Sequence, residues 1–367
     1  MHLLPRRITP HHHTPRAPTT PNNTTTPFRR ILLSPSFSFL RHHPTRAHST
    51  TNSATPTMAD RAAADAARAA QTKASYETDD LMAQYLSLHF GTSAAGDALA
   101  AFAAEPSGSL LREALGFPAK CGRLVISAAL AAGLDPRECR ALDLGCAVGG
   151  STMVMAAAFG KGAVGVDLSQ TFVDAAERVR SAPRDKPVPY DLREEGDTTL
   201  SCEASVEALF SPLVGAPAEE SARAAELAEL ARQRASFAQG DACSLPAAAL
   251  APGASAEYDC VLAANLLCRV PSPKDCLNEI HRALKPGGVV IFTSPFTWMQ
   301  QYTDKSKWLG GGNPASEGRT CGEALRAELE SMGFAVRDEG VQPLVIRETK
   351  RKYQLILAHR TVAVKLR

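Results

Sequence analysis

Two periods of apolar and polar positions alternate along this chain. Short apolar runs of strand length end in polar residues: "RALDLG" (140–145), "GAVGVDLS" (162–169), "ASFAQGDA" (235–242), "YDCVLAAN" (258–265) and "VVIFTSP" (289–295). Between them lie segments with apolar residues at helical spacing: "STMVMAAAF" (151–159), "TFVDAAERVR" (171–180) and "KDCLNEIHRAL" (274–284), the last followed by the turn "KPGG". Strands that alternate with helices predict βαβ units, and so an α/β fold with a parallel sheet. "KYQLILAH" (352–359) adds a strand alternating enough to sit at or beside a sheet edge. Two helices come earlier. "YETDDLMAQYLSLHFG" (76–91) carries Leu81, Tyr85, Leu86 and Leu88 in register and stops at Gly91, and "AKCGRLVISAALAAG" (119–133) stops at Gly133.

The pattern lapses between Pro183 and Arg234, where the chain is rich in Ala, Glu and Pro. "PAEESARAAELAELARQRA" (217–235) predicts a solvated helix with little apolar face, and the segment reads as an inserted helix or a mobile surface excursion. The first 57 residues differ in kind, with seven arginines, no lysine and no acid before Asp60. That is the composition of a transit peptide, and it predicts delivery to a plastid or mitochondrion; translation from Met58 would leave the protein cytoplasmic. The expected organisation is a tail (1–57), a helical extension or lid (58–119) and one α/β domain (120–360) carrying the insertion (183–234). A formal net charge of +2 gives no nucleic-acid footprint. No apolar run approaches the ~20 residues of a membrane span. The nine cysteines are scattered, without C-x-x-C or H-E-x-x-H, which predicts reduced thiols and no metal site.

Chemistry concentrates at the strand ends. In "DLGCAVGG" (143–150), Gly145 and Gly149 permit close backbone approach. A dinucleotide fingerprint would want glycine where Ala147 stands, and no Walker ending is present. Asp143, at the mouth of the loop, suits a cation better than a pyrophosphate. S-adenosylmethionine carries a sulfonium and an ammonium and no phosphate. Asp167 ends the second strand, where an acid accepts hydrogen bonds from a ribose diol. Asp241 is placed to reach an adenine amino group, and Asn265 to face the reacting methyl. Cys146, Ala147, Leu168, Ala242 and Leu266 complete the expected cofactor wall. Turn chemistry alone explains glycines and an isolated capping acid, but not acids at successive strand ends.

The order "DLGCAVGG", "GVDLS", "GDA", "AANLL", "LKPGG" resembles the class I S-adenosylmethionine-dependent methyltransferases. That resemblance implies a Rossmann-like seven-stranded sheet, mostly parallel with one reversed strand, and helices on both faces. A narrower set, "YETDDLMAQYLSLHFG", "FPAKC", "ANLLCRVPSP", "TSPFTW", "WLGG" and "IRETKRKYQ", is similar to the methyltransferase domain at the carboxyl end of ovothiol synthases. It implies methyl transfer to the imidazole nitrogen of 4-mercaptohistidine (5-thiohistidine), the last step of ovothiol A formation. The upstream sulfoxide synthase domain of that family has no counterpart of comparable length here, which implies a separate sulfoxide synthase as supplier and partner. Two other readings remain open: methyl transfer to another small molecule, and a catalytically silent partner of a sulfoxide synthase.

A neutral imidazole, with a reference pKa near ~6.5, is already nucleophilic at neutral pH, so the expected mechanism is mainly orientation. An amino-acid acceptor wants a cationic fork for its carboxylate and an anion for its ammonium. Arg269, Arg347 and Glu348 are the candidates. Phe296 and Trp298 are expected to flank the ring, and Tyr76, Tyr85 and His89 to reach it from the first helix. His89, as a weak base, and Asn265 are the catalytic candidates. Cys146 and Cys268 read as small packing residues.

Overall fold

Among the described residues the alternation resolves into nine strands: β1 (Ala141–Leu144), β2 (Ala163–Asp167), β3 (Val188–Arg193), β4 (Thr199–Ala204), β5 (Ala235–Gln239), β6 (Tyr258–Ala264), β7 (Leu284–Ser294), β8 (Phe334–Thr349) and β9 (Lys352–Lys365). This is a computed structural model, described for residues 63–64, 67–68, 78–91, 108–210, 218–250 and 255–366. The transit-like tail and Tyr76 lie outside the described residues. Seven strands form one sheet in the order β5-β2-β1-β6-β7-β9-β8, and β3 and β4 form a separate hairpin. All neighbours in the larger sheet pair parallel except β9, which runs antiparallel to both β7 and β8. The α/β sheet with one reversed strand is therefore as expected.

Helices cover both faces. They are α1 (Asp79–Phe90), α2 (Ser109–Ala114), α3 (Phe117–Ala131), α4 (Gly150–Ala158), α5 (Gln170–Ser181), α6 (Ala218–Arg234), α7 (Pro273–Ala283) and α8 (Cys321–Ser331). Strand alternation divides the core into two layers. Cys260, Leu262 and Ile291 pack with Met153, Met155 and Phe159 on one side. Leu142, Leu144, Val261 and Phe292 pack with Leu277 and Leu329 on the other. Each large apolar side chain so buried contributes about 1.5–3 kcal/mol, which is why the central strands read as continuous apolar runs. From β1 the sheet proceeds to β2 on one side and to β6 on the other, so the order reverses there. A crevice opens at that point, beyond the carboxyl ends of the strands. Among the described residues no helix is long and apolar enough to cross a membrane, and the nine cysteines are unpaired.

Three features depart from the sequence reading. The "KPGG" turn is absorbed into β7, where Leu284 pairs with Tyr258 and the register shifts before Cys260. β8 was not anticipated, because Gly340, Pro343 and its charged residues mask the alternation; β9 pairs along nearly its whole length. The described residues of the segment 183–234 follow the inserted-helix alternative and not the loose excursion. They hold the β3–β4 hairpin and α6, and α6 packs against α4 with Ala228 and Ala231 fully buried. The apolar face of α6 was missed because it is built largely from alanine, whose small side chain lets two helices approach closely.

That packing is testable. Ala231→Leu should overpack the α4–α6 contact and cost about 1–3 kcal/mol in urea unfolding. Ala222→Leu, the same change at an exposed position of α6, should stay within about 0.5 kcal/mol. Equal effects of the two changes would mean that α6 does not pack.

Candidate functional site

The crevice is a cleft of about 1150 Å³, solvent at its mouth included, and the ends of β1, β2, β5 and β6 form its floor. Of the expected cofactor residues, Gly145, Cys146, Ala147, Asp167, Leu168, Asp241, Ala242, Asn265 and Leu266 are brought together in its lining. Gly145 adopts φ +70, and a Cβ there would stand 2.9 Å from Leu266 Cδ1. Ala147 sits at φ 47, in the left-handed region that non-glycine residues avoid. It takes the conformation that the fingerprint glycine would have taken, and what holds it there is Asp167. One carboxylate oxygen of Asp167 accepts the Ala147 N–H at 2.8 Å and the other accepts the Ser169 N–H at 2.9 Å. Burial raises the Asp167 pKa to about 6, against the pull of these backbone donors. A carboxylate has about four acceptor positions, so capacity remains for a ligand.

Asn265 is the second strained residue of the floor, at φ 55, a conformation asparagine tolerates. Its N–H donates to Thr293 O at 2.7 Å, and its Oδ1 accepts the Thr293 hydroxyl at 3.1 Å. Asn265 itself lines the cleft. Asp241 accepts the Cys243 N–H at 2.8 Å, which fixes its carboxylate at the end of β5.

Two expected cofactor residues do not line the cleft. Asp143 is 1% exposed, one layer below the wall, and its carboxylate accepts from Ser151 Oγ at 2.6 Å and Thr152 Oγ1 at 2.7 Å. Burial raises its pKa to about 6, which the two hydroxyls partly offset. It therefore ties β1 to the first turn of α4 and does not meet a cation directly. Gly149, at φ +86, is the N-cap of α4, and a Cβ there would strike the Phe237 ring at 2.5 Å. Its role is helix entry and packing.

His89 and Tyr85 do reach the cleft from α1. The imidazole, however, is not the expected base. Its Nδ1 accepts the Gly150 N–H at 2.9 Å, at the start of α4. Burial lowers the His89 pKa to about 3, so the ring stays neutral with its proton on Nε2. A neutral ring with Nδ1 occupied keeps Nε2–H as a donor, on a residue that lines the cleft. The first helix is thereby latched to the loop that follows β1.

The expected acceptor clamp is not assembled. Arg269 lines the cleft, but its guanidinium donates to Thr297 O at 2.8 Å and Thr297 Oγ1 at 3.0 Å, and it lies 5.1 Å from the Tyr302 ring. Arg347 pairs with Glu194, and Glu348 with Lys352 and Gln354. Strand alternation is the reason: Leu344 and Ile346 turn into the cleft, which turns Arg347 to the other face. Phe296 and Trp298 stack with each other, Trp298 stacks on Trp308, and its Nε1–H reaches Cys321 Sγ at 3.3 Å, all outside the cleft. Phe117 and Phe172 supply the aromatic walls instead. Phe117 stood in the "FPAKC" motif, and Phe172 lies three residues past the α5 N-cap Ser169, but neither position alone signals a pocket.

The neutral His89 sets a sign for acid sensitivity. Its folded pKa is depressed, so its contribution to stability is present above about pH 6.5 and lost as pH falls toward about 3. The unfolding free energy of the wild type relative to His89→Gln should therefore rise between pH 4 and 7 and then level off. A difference that stays flat across that range would mean that the ring is not held neutral.

Comparison with known proteins completes the site's description. A family model described as a methyltransferase domain matches residues 112–339. Among solved structures, a methyltransferase of Methanosarcina mazei described as S-adenosylmethionine-dependent is similar at 17% identity, covering 65% of this chain and 97% of that one, with a TM-score of 0.38. The magnesium protoporphyrin IX methyltransferase of Synechocystis, solved with S-adenosylmethionine, is similar at 12% identity, covering 78% and 97%, with a TM-score of 0.39. The cyclase SpnF is similar at 19% identity, covering 67% and 81%, with a TM-score of 0.38. Among curated proteins there is no match.

Proposed function

The chain belongs to the methyltransferase-domain family, and from that premise we propose that it transfers a methyl group from S-adenosylmethionine to an imidazole nitrogen of thiohistidine. The observation that carries the donor is Asp167: a carboxylate with acceptor capacity to spare, between two loops that offer no lysine or arginine to a phosphate. The residues present fit the donor. Asp167 would hold the ribose diol, Asp241 the adenine edge, and Asn265 the end where the methyl is transferred. When bound, S-adenosylmethionine supplies an electrophilic methyl on a sulfonium.

The chain's own residues then do little beyond placement. Tyr85, Phe117 and Phe172 wall the acceptor side and exclude water from the reacting pair. The His89 Nε2–H is a fixed donor for an anionic sulfur or oxygen on the acceptor, which selects the orientation of the ring. No side chain in the wall is needed to activate a neutral imidazole nitrogen. The proton released after transfer goes to solvent at the cleft mouth.

The motifs shared with the ovothiol synthase domain support the thiohistidine acceptor. One observation favours a second reading, a less polar heteroaromatic acceptor: Arg347 and Glu348 are paired elsewhere, and Arg269 is engaged by Thr297. Incubation of the purified chain with S-adenosylmethionine and thiohistidine, histidine or ergothioneine, read by mass spectrometry, decides between them. A methyl added to thiohistidine alone is the expected result. Turnover on none of the three would overturn the acceptor, and absence of donor binding would leave a silent partner protein.

The donor site also predicts a pH dependence. In the free protein Asp167 takes up a proton below about pH 6 and loses acceptor strength. Affinity for S-adenosylmethionine, measured by calorimetry, should fall as pH drops through about 6. Asp167→Asn should weaken it by about 10–100-fold at pH 7.5, the worth of a charged hydrogen bond. Unchanged affinity in that variant would remove Asp167 from the site.

A further inference from the structure

The inserted β3–β4 hairpin supplies no residue to the cleft wall, yet its tip is bonded to both elements that cover the cleft. One cover is α1, which carries Tyr85, Leu88 and His89. The other is an arm made of β8 and β9. β7 stops pairing at Ser294, opposite His359, so residues 341–349 and 352–358 run on beyond it as a two-stranded ribbon bearing Leu344 and Ile346.

Three consecutive residues at the hairpin tip make the connections. Arg193 pairs with Asp80 of α1 at 2.9 Å. Glu194 pairs with Arg347 and, at 3.3 Å, with Lys350, and its carbonyl accepts the Lys350 N–H at 3.3 Å. Glu195 pairs with Arg351 at 2.8 Å. These connections are unequal. The side chains of Arg351 and Glu195 are 79% and 56% exposed, and such pairs contribute little. Those of Arg347 and Glu194 are 12% and 16% exposed, so removing one partner strands the other in a poorly solvated place. Glu194 is thus the anchor, and it holds the residue directly after Ile346.

We infer that Glu194 is a positioning residue: it pins the β8–β9 arm so that Leu344 and Ile346 stand opposite α1, and so sets the width of the acceptor side of the cleft. The insertion is then a brace between the two covers, outside the reacting centre. The inference rests on the methyl-transfer reading for which ligand occupies that side, but not for the pinning itself.

Deuterium exchange and steady-state kinetics of the full chain test it. Glu194→Gln keeps the size of the side chain and removes its charge. Exchange in residues 341–358 should rise about tenfold. The KM for thiohistidine should rise about tenfold, with kcat within about threefold and S-adenosylmethionine affinity within about twofold. Glu195→Gln should change none of these. Unaltered exchange in the arm, or donor and acceptor affinities falling in parallel, would overturn the inference. If thiohistidine is not methylated at all, the exchange result still decides the pinning, and the two failures stay distinct. Should Glu194→Gln not accumulate as folded protein, Glu194→Asp, which keeps the charge and shortens the reach to Arg347, carries the same test with an expected rise of about threefold in arm exchange; no rise overturns it.

Discussion

One carboxylate organises the cleft. Asp167 ends β2, takes the Ala147 N–H with one oxygen and the Ser169 N–H with the other, and so joins the loop after β1 to the start of α5. Without it the left-handed backbone of Ala147 loses its hydrogen-bond partner, and the loop after β1 keeps its ties to Val166 O through the Gly145 and Cys146 N–H groups but loses its tie to the start of α5. Burial makes its ionisation costly, and the backbone donors offset only part of that cost. A ligand that brings further hydroxyl donors completes the compensation, which couples binding to the ordering of both loops.

Asp143 shows how the same chemistry one strand away serves a different end. Its pKa is raised to the same region by the same cause, but it lies 1% exposed inside the core, bonded to Ser151 and Thr152 and away from the cleft. The two acids form successive layers, one holding the helix that the other's loop leads into. His89 adds a third tie, from α1 to the N-terminus of α4. The donor side is thus fixed by short hydrogen bonds among backbone and buried groups, whereas the acceptor side is enclosed by α1 and the β8–β9 arm, which pack on each other through apolar side chains and are tied to the insertion by ion pairs.

What was legible in the sequence follows that division. The strands β1, β2, β5 and β6 were readable, and so were the polar residues at the ends of β2, β5 and β6, because turn chemistry does not by itself close successive apolar runs with acids or asparagine; Asp143 has the same look in sequence but is buried within β1. The acceptor side was not. Phe296, Trp298, Arg347 and Glu348 were chosen for chemical type, and type does not say which way a side chain turns when the strand carrying it goes unrecognised. With β8 unread, the alternation that sends Ile346 inward and Arg347 outward could not be applied. The ion pairs of the insertion tip span more than a hundred and fifty positions from Glu194 to Arg347, and no local pattern announces a contact of that range.

The central claim is that a phosphate-free adenosyl donor lies across the ends of β1, β2, β5 and β6. A crystal structure of the chain with S-adenosylhomocysteine tests it most directly. The account predicts the ribose hydroxyls on the carboxylate of Asp167, the adenine beside Asp241 and the sulfur facing Asn265. A ligand seated elsewhere, or those two carboxylates left turned away from it, would contradict the account.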